Sequence, residues 1–230
     1  MSVRFYQVGG CVRDGLLGLP SKDIDYSVEA PSYEGMREAI VARCGSESAI
    51  KVEKPEFVTI RAVDPKLGGV DFVLCRKEGV YSDGRRPDNV EMGTLYDDLA
   101  RRDFTVNAMA KDDDGTIIDP FNGQQALNEG RLSCVGGVER LREDSLRMIR
   151  AIRFHITKGF WLDDDIGTFL QTPSNARLLE NISIERIREE LLKCFKHNTY
   201  NTLRVLQEYH WIQKAIFVHM GLKLEPTLKG

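Results

Sequence analysis

At 230 residues the chain is long enough for one large domain, or a domain with an extension, around a sizeable core. Its 42% hydrophobic and 29% charged residues are those of an ordinary globular protein. No apolar run approaches the ~18 residues of a membrane span and Met1-Ser2-Val3-Arg4 does not open a signal peptide, so a soluble cytoplasmic protein is expected. A net charge of −3 and a pI near 5.9 exclude indiscriminate coating of nucleic acid but leave room for a local basic groove. The cysteines (Cys11, Cys44, Cys75, Cys134, Cys194) are odd in number, scattered and lack any Cys-x-x-Cys pair, so neither a disulfide framework nor a structural zinc site is indicated. The four histidines show no metal-binding spacing.

Residues 3–8 predict a first strand, Cys11 to Leu17 a short helix and 23–29 a second strand, with the pair Gly9-Gly10 between strand and helix. Backbone N–H groups at that glycine turn can face phosphate oxygens, and Arg13 adds positive charge one helical turn later. Asp23 and Asp25 stand at i and i+2 of the second strand, on one face and about 6.6 Å apart at ~3.3 Å per residue. A phosphate cradle followed by Asp-x-Asp suits metal-assisted phosphoryl or nucleotidyl transfer.

Ser32 or Pro31 opens an amphipathic helix through about Cys44. Phe57 to Val63 and Val70 to Cys75 read as a hairpin, whose second strand points Asp71 away from Val70 and Phe72 and makes it a candidate third carboxylate. Residues 76–93 lack periodicity and predict a long loop. Asp97 to Ala108 reads as a charged helix end followed by an apolar helix, although Arg101-Arg102-Asp103 can also grip a triphosphate and a ribose. Thr116 to Asp119 predicts a short strand, and from about Arg131 onward the pattern is helical.

The helix predicted at 143–154 carries Leu146, Ile149, Ile152 and Ile156 as its buried stripe. Asp144, Arg147 and Arg150 recur at three on another face, with Arg153 trailing. They form either i,i+3 ion pairs or a reader of bases. A carboxylate accepts from the exocyclic amino group of cytosine or adenine while arginine donates to the adjacent ring nitrogen, and uracil and guanine present the opposite pattern. A second amphipathic helix runs from Ile184 to Phe195 behind Ser183 as N-cap, with its charges on a solvated face. One or two short helices follow over 203–217, then a tail from Leu222.

Five segments in order resemble the class II tRNA nucleotidyltransferases (CCA-adding enzymes) and their poly(A) polymerase relatives. These are Gly9-Gly10-Cys11-Val12-Arg13-Asp14 with Asp23-x-Asp25, then Arg101-Arg102-Asp103-Phe104-Thr105-Val106-Asn107-Ala108, then Asp119-Pro120-Phe121-Asn122-Gly123. Glu143-Asp144-x-x-Arg147-x-x-Arg150 and Ser183-x-Glu185-Arg186-Ile187-Arg188-x-Glu190 complete the set. The resemblance implies an α+β fold: a polymerase-beta-like nucleotidyltransferase head with a small mixed sheet over residues 1–130, then an all-α neck over 131–200. The chain stops about 35 residues after the neck motif, so a short helical segment over 201–230 would stand in place of the family's body and tail. It implies addition of C, C and A to tRNA 3′ ends from CTP and ATP, with an A-adding or poly(A)-type enzyme as the alternative. Asp23 and Asp25 would hold two Mg²⁺ ions, with Asp71 as third carboxylate. Gly10, Arg13 and Arg102 would bind the nucleotide's phosphates or sugar, and Asp144 and Arg147 would read its base beside Arg150 and Arg153. The segment at 76–93 would be the flexible loop that helps the change from CTP to ATP.

Overall fold

A computed structural model describes residues 3–21, 23–78 and 90–221, which gather into two compact units that meet in sequence between Leu127 and Asn128. Lys22, most of the predicted loop at 76–93 and the tail from Leu222 lie outside the described residues.

The first unit is built on a seven-stranded sheet. In chain order it contains β1 (Arg4–Val8), α1 (Gly10–Leu16), β2 (Ile24–Glu29), α2 (Tyr33–Cys44), β3 (Ile50–Lys54), β4 (Thr59–Asp64) and β5 (Gly68–Leu74). There follow β6 (Arg76–Glu78), β7 (Val90–Met92), α3 (Leu95–Ala100), β8 (Ala110–Lys111), β9 (Ile117–Ile118) and α4 (Gly123–Asn128). The sheet order is β3-β4-β5-β2-β1-β8-β9, with β2 and β5 parallel and the other pairings antiparallel. Ser32 is the N-cap of α2, its Oγ accepting from the Gly35 N–H at 3.0 Å, and Gly45 ends the helix in the left-handed region.

Strand alternation decides the two faces. Tyr26 and Val28 of β2, Ile60 and Ala62 of β4, and Val70, Phe72 and Leu74 of β5 form one core with Met36 and Ile40 of α2. Asp25, Asp71 and Arg61 have the opposite parity, stay out of that core and face the other side. The predicted separation of Asp71 from Val70 and Phe72 is therefore observed.

Four local expectations need correction. The hairpin's first strand begins at Thr59, because Pro55–Phe57 makes one 3₁₀ turn and Val58 sits in the left-handed region at φ 49°. The edge strand β3 has no counterpart in the sequence reading; its burial falls off after Ile50, so its residues carry no alternation. The ends of the predicted loop are paired, Arg76 opposite Met92 and Lys77 opposite Glu91. No apolar helix follows α3. Asp103 accepts from the Phe104 N–H at 2.8 Å and from Asn107 Nδ2 at 3.0 Å, which turns the chain into a single 3₁₀ turn at Thr105–Asn107.

The second unit is helical, as expected, with one added parallel ribbon. It contains β10 (Arg131–Leu132), α5 (Arg140–Glu143), α6 (Leu146–Lys158), β11 (Trp161–Leu162), α7 (Asp164–Leu170), α8 (Pro173–Ala176), α9 (Ile184–His197), α10 (Thr199–Glu208) and α11 (His210–His219), with β10 beside β11. Leu146, Ile149, Ile152 and Ile156 are buried as predicted. The helix predicted at 143–154 is instead two helices, broken at Asp144 and Ser145. Asp144 is extended (φ −134°, ψ 103°) and its Oδ1 accepts from the Leu146 N–H at 3.1 Å, a local bond that competes with helix continuation. In α9 the buried residues are Ile187, Glu190 and Cys194, so that helix's charges are not all solvated. Glu190 pairs with Arg153 Nε at 2.5 Å and with Lys193 Nζ at 2.7 Å, tying α9 to α6.

Glu190 is 4% exposed, so removing its charge strands Arg153 in the interface. Glu190→Ala should lower the unfolding free energy by about 3 kcal/mol, read from a urea titration. An unchanged midpoint would mean that the pair contributes nothing.

Candidate active site

The polar face of the first sheet carries one continuous row of side chains. Val8 on β1 lies opposite Asp25 on β2, Asp25 beside Asp71 on β5, Asp71 opposite Arg61 on β4, and Arg61 opposite Val52 on β3. All five line a cleft of about 510 Å³, together with Ser27, Arg101 and Arg102. Asp25 and Asp71 are register partners on parallel strands, so their carboxylates are held side by side. Asp25 is exposed at the cleft mouth, yet the surrounding walls keep enough water away to raise its pKa above the ordinary value. Asp71 raises it further and Asp23 adds a smaller push, while Arg102 and Arg61 oppose them. Asp23 is exposed and lies just before β2. Among the described residues no three His, Cys, Asp or Glu side chains are grouped to hold a metal ion by themselves.

Arg102 owes its place to Asp98, a residue given no role in the sequence reading. Asp98 is completely buried at the inner side of α3. It accepts from Arg101 (Nε at 2.9 Å, Nη2 at 2.5 Å), Arg102 (Nη2 at 3.1 Å) and Ser27 (Oγ at 2.6 Å). Burial pushes its pKa up, but the two guanidinium groups and the Ser27 hydroxyl outweigh that and hold it at about 2. The signal was available, since Asp98 stands three and four residues before two arginines on one helix.

The glycine turn serves the same arginine. Gly9 has φ 75°, a conformation that favours glycine, and a Cβ built there would stand 2.8 Å from Arg102 Nη1 and displace the guanidinium. The Gly9 N–H donates to the Met109 carbonyl (3.4 Å), which takes it out of the expected phosphate cradle. Gly10 is the first residue of α1. Arg13 is buried, with Nε on Asp14 at 2.9 Å and Nη1 on Asn107 Oδ1 at 2.5 Å, and Asn107 in turn donates to Asp103. That network joins α1 to the turn after Arg102.

In the second unit, Asp144 Oδ2 meets Arg186 Nη2 of α9 at 2.9 Å. Arg147 is buried, with Nη1 on the Arg140 carbonyl at 2.8 Å and on Glu143 at 3.0 Å. Arg153 is committed to Glu190, and its guanidinium also lies 4.2 Å from the Phe154 ring centroid. Arg150 stands 5.7 Å from the same centroid. The even spacing on one helix face predicted for Asp144, Arg147 and Arg150 is interrupted by the break before Leu146.

A family model described as "Poly A polymerase head domain" matches residues 5–133, more than half of the chain. The chain belongs to this poly A polymerase head-domain family. A second model, "Probable RNA and SrmB- binding site of polymerase A", matches residues 165–215. A CCA-adding enzyme of Ligilactobacillus salivarius is 41% identical over 206 residues, covering 89% of this chain and 48% of the relative. One of Geobacillus thermodenitrificans is 42% identical, covering 82% and 44%. Among solved structures, a Bacillus stearothermophilus CCA-adding enzyme in complex with CTP aligns with a TM-score of 0.75 at 35% identity, over 90% of this chain and 48% of that one. A Thermotoga maritima CCA-adding enzyme complexed with tRNA_CCA aligns with a TM-score of 0.76 at 28% identity, over 94% and 48%. The chain thus spans about half the length of the relatives it matches. As in a polymerase-beta-like head, the carboxylates of this family member sit on a small mixed sheet, ahead of a helical second unit. Among the described residues no helix is long and apolar enough to cross a membrane.

Asp98 is depressed in the folded state from an ordinary 3.8 to about 2, so its contribution is complete above pH ~4 and is lost as pH falls towards 2. That contribution is roughly 2 kcal/mol at neutral pH. Asp98→Asn should flatten the acid limb of a stability-versus-pH curve, and an acid limb identical to wild type would remove Asp98 as the anchor of the two arginines.

Proposed function

We propose that the chain adds C, C and A to the 3′ end of tRNA, using CTP and ATP and releasing pyrophosphate in the cytoplasm. The observation that carries this reading is the pairing of Asp25 with Asp71 beside an arginine anchored by Asp98, in a chain 41% identical to a CCA-adding enzyme over 89% of its length.

The donor set fits Mg²⁺. The ion takes hard oxygen ligands and is commonly held by one or two carboxylates together with substrate phosphates, so a pair that encloses no ion by itself is suitable. Asp23 and Asp25, with Asp71 alongside, would hold it. Bound there, the metal supplies charge neutralisation for the phosphates and a more acidic 3′-hydroxyl.

The chain's own side chains do the rest. Arg102, fixed by Asp98 and the Gly9 turn, orients the triphosphate at the β1 side of the cleft, next to Gly10. Arg13 contributes through Asn107, whose turn it holds. In the second unit Asp144 and Arg147 select the base. A carboxylate oxygen accepts more than one hydrogen bond, so Asp144 can take the amino group of cytosine or adenine while it keeps Arg186 and the Leu146 N–H. Arg150 and Arg153 support that surface. The two units would act as nucleotidyltransferase head (1–130) and neck (131–200).

Transcripts of tRNA lacking A, CA or CCA, incubated with labelled CTP and ATP, test the proposal. CTP should enter the last two acceptors before ATP completes each. ATP incorporation alone on every acceptor would replace it with the A-adding reading. Asp25→Ala should abolish transfer with folding intact. Arg147→Ala should relax exclusion of UTP and GTP by roughly ten- to a hundredfold, with little change in affinity for CTP; unchanged exclusion would sink its role as a base reader.

A further inference from the structure

The cleft extends along the sheet beyond the carboxylate row. Two residues along from the Asp25–Asp71–Arg61–Val52 row, the same face carries a second row of Ser27, Val73, Thr59 and Lys54 across β2, β5, β4 and β3. All of them line the same cleft. Its cations fall into two groups on opposite sides of the carboxylates. Arg102 reaches in beside Gly9 and Ser27, over β1 and β2. Arg61 and Lys54 lie beyond Asp71, on β4 and the edge strand β3.

In nucleotidyl transfer the 3′-hydroxyl gives its proton to water and its oxygen bonds to the α-phosphorus as the bond to pyrophosphate breaks, with the attacking and leaving oxygens roughly in line. The two anionic substrates therefore enter from opposite sides of the carboxylate pair. With the triphosphate on the Arg102 side, the strand that bears the 3′-hydroxyl comes from the β4–β3 side. There it meets two exposed cations, set among the apolar Val52 and Val73 and the Thr59 hydroxyl. Positive charge along a groove is what tracks a single-stranded sugar-phosphate backbone.

Resting on the reaction proposed above, we infer that Arg61 and Lys54 form the track for the RNA acceptor strand and bind the phosphates next to its 3′ end. Both are available for this at little cost. Arg61 meets Asp71 at 3.5 Å, with its side chain more than half exposed, an ion pair of the kind that contributes little. Lys54 is exposed, and its ammonium has no ion-pair partner among the described residues.

Lys54→Gln and Arg61→Gln, with Arg61→Lys as the charge-conserving control, separate the substrates. Steady-state kinetics should give a KM for tRNA lacking CCA that rises about tenfold in each glutamine variant, a KM for CTP that stays put, and near-normal values for Arg61→Lys. A rise in the CTP KM instead would make this the triphosphate side and overturn the assignment, as would no change in either KM. A second measurement does not depend on turnover. Fluorescence anisotropy of the same tRNA, titrated with NaCl and without nucleotide, should show the slope of log K against log salt shrinking by about 0.7 for each phosphate that the variant no longer neutralises. An undiminished slope in both variants overturns the track whether or not the wild type adds C and A. A diminished slope in the variants, beside a wild type that incorporates neither nucleotide, keeps the track and removes the proposed reaction.

Discussion

Successive residues of a strand point to opposite faces, and the first unit depends on that alternation being in register across five strands. Phe72 and Val70 enter the core with Met36 and Ile40, which leaves Asp71 no choice but the cleft. Asp25 is bound by the same rule through Tyr26. A slip of one residue in the β2–β5 pairing would bury Asp71 and expose Phe72, so the apolar packing under the sheet enforces the pairing of carboxylates above it. The pairing of the two carboxylates is a by-product of core packing, and the core needs no information beyond the identity of its apolar residues.

The arginines cannot be placed that way, because long flexible cations have no packing reason to converge. A buried acid gathers them instead. Asp98 has no access to water and would be costly unpaired, so the structure surrounds it with two guanidinium groups and a hydroxyl. The cost of leaving any partner away keeps Arg102 at the glycine turn. Glu190 holds Arg153 by the same logic between α6 and α9. In both units a fully paired interior carboxylate fixes an arginine, and side-chain entropy is lost on folding rather than on binding.

These differences mark what could be read from the chain in advance. Alternation and glycine turns are local, so the strands, the hairpin, the core stripe of α6 and the orientation of Asp71 were legible. The edge strand β3 was not, since Ile50-Lys51-Val52-Glu53-Lys54 is mostly exposed and owes its strand form to pairing with β4. Nor was the break at Asp144, because the apolar period runs straight through it and a single side-chain bond to the Leu146 N–H decides the matter. Ion pairs made across the fold, such as Arg153–Glu190, leave no periodic trace, and Glu190 looked like one more solvated charge.

The cations of the cleft are held with unequal firmness, and the inequality matches two different tasks. Arg102 is locked by Asp98 and hemmed in by Gly9, which in the proposed reaction would suit a ligand presented identically in every cycle: the triphosphate of whichever nucleotide arrives. The side chains of Arg61 and Lys54 are exposed, with a weak partner or none among the described residues. An acceptor strand that grows by one nucleotide at each addition must shift its phosphates relative to the carboxylates, and a rigid, fully paired guanidinium would bind one register too well to let it move. Mobile surface cations grip any register about equally, because their attraction to phosphate depends on charge more than on fixed geometry. Firm anchoring on one side of the carboxylates and loose anchoring on the other is thus the arrangement that the proposed reaction, repeated addition to a moving end, would require.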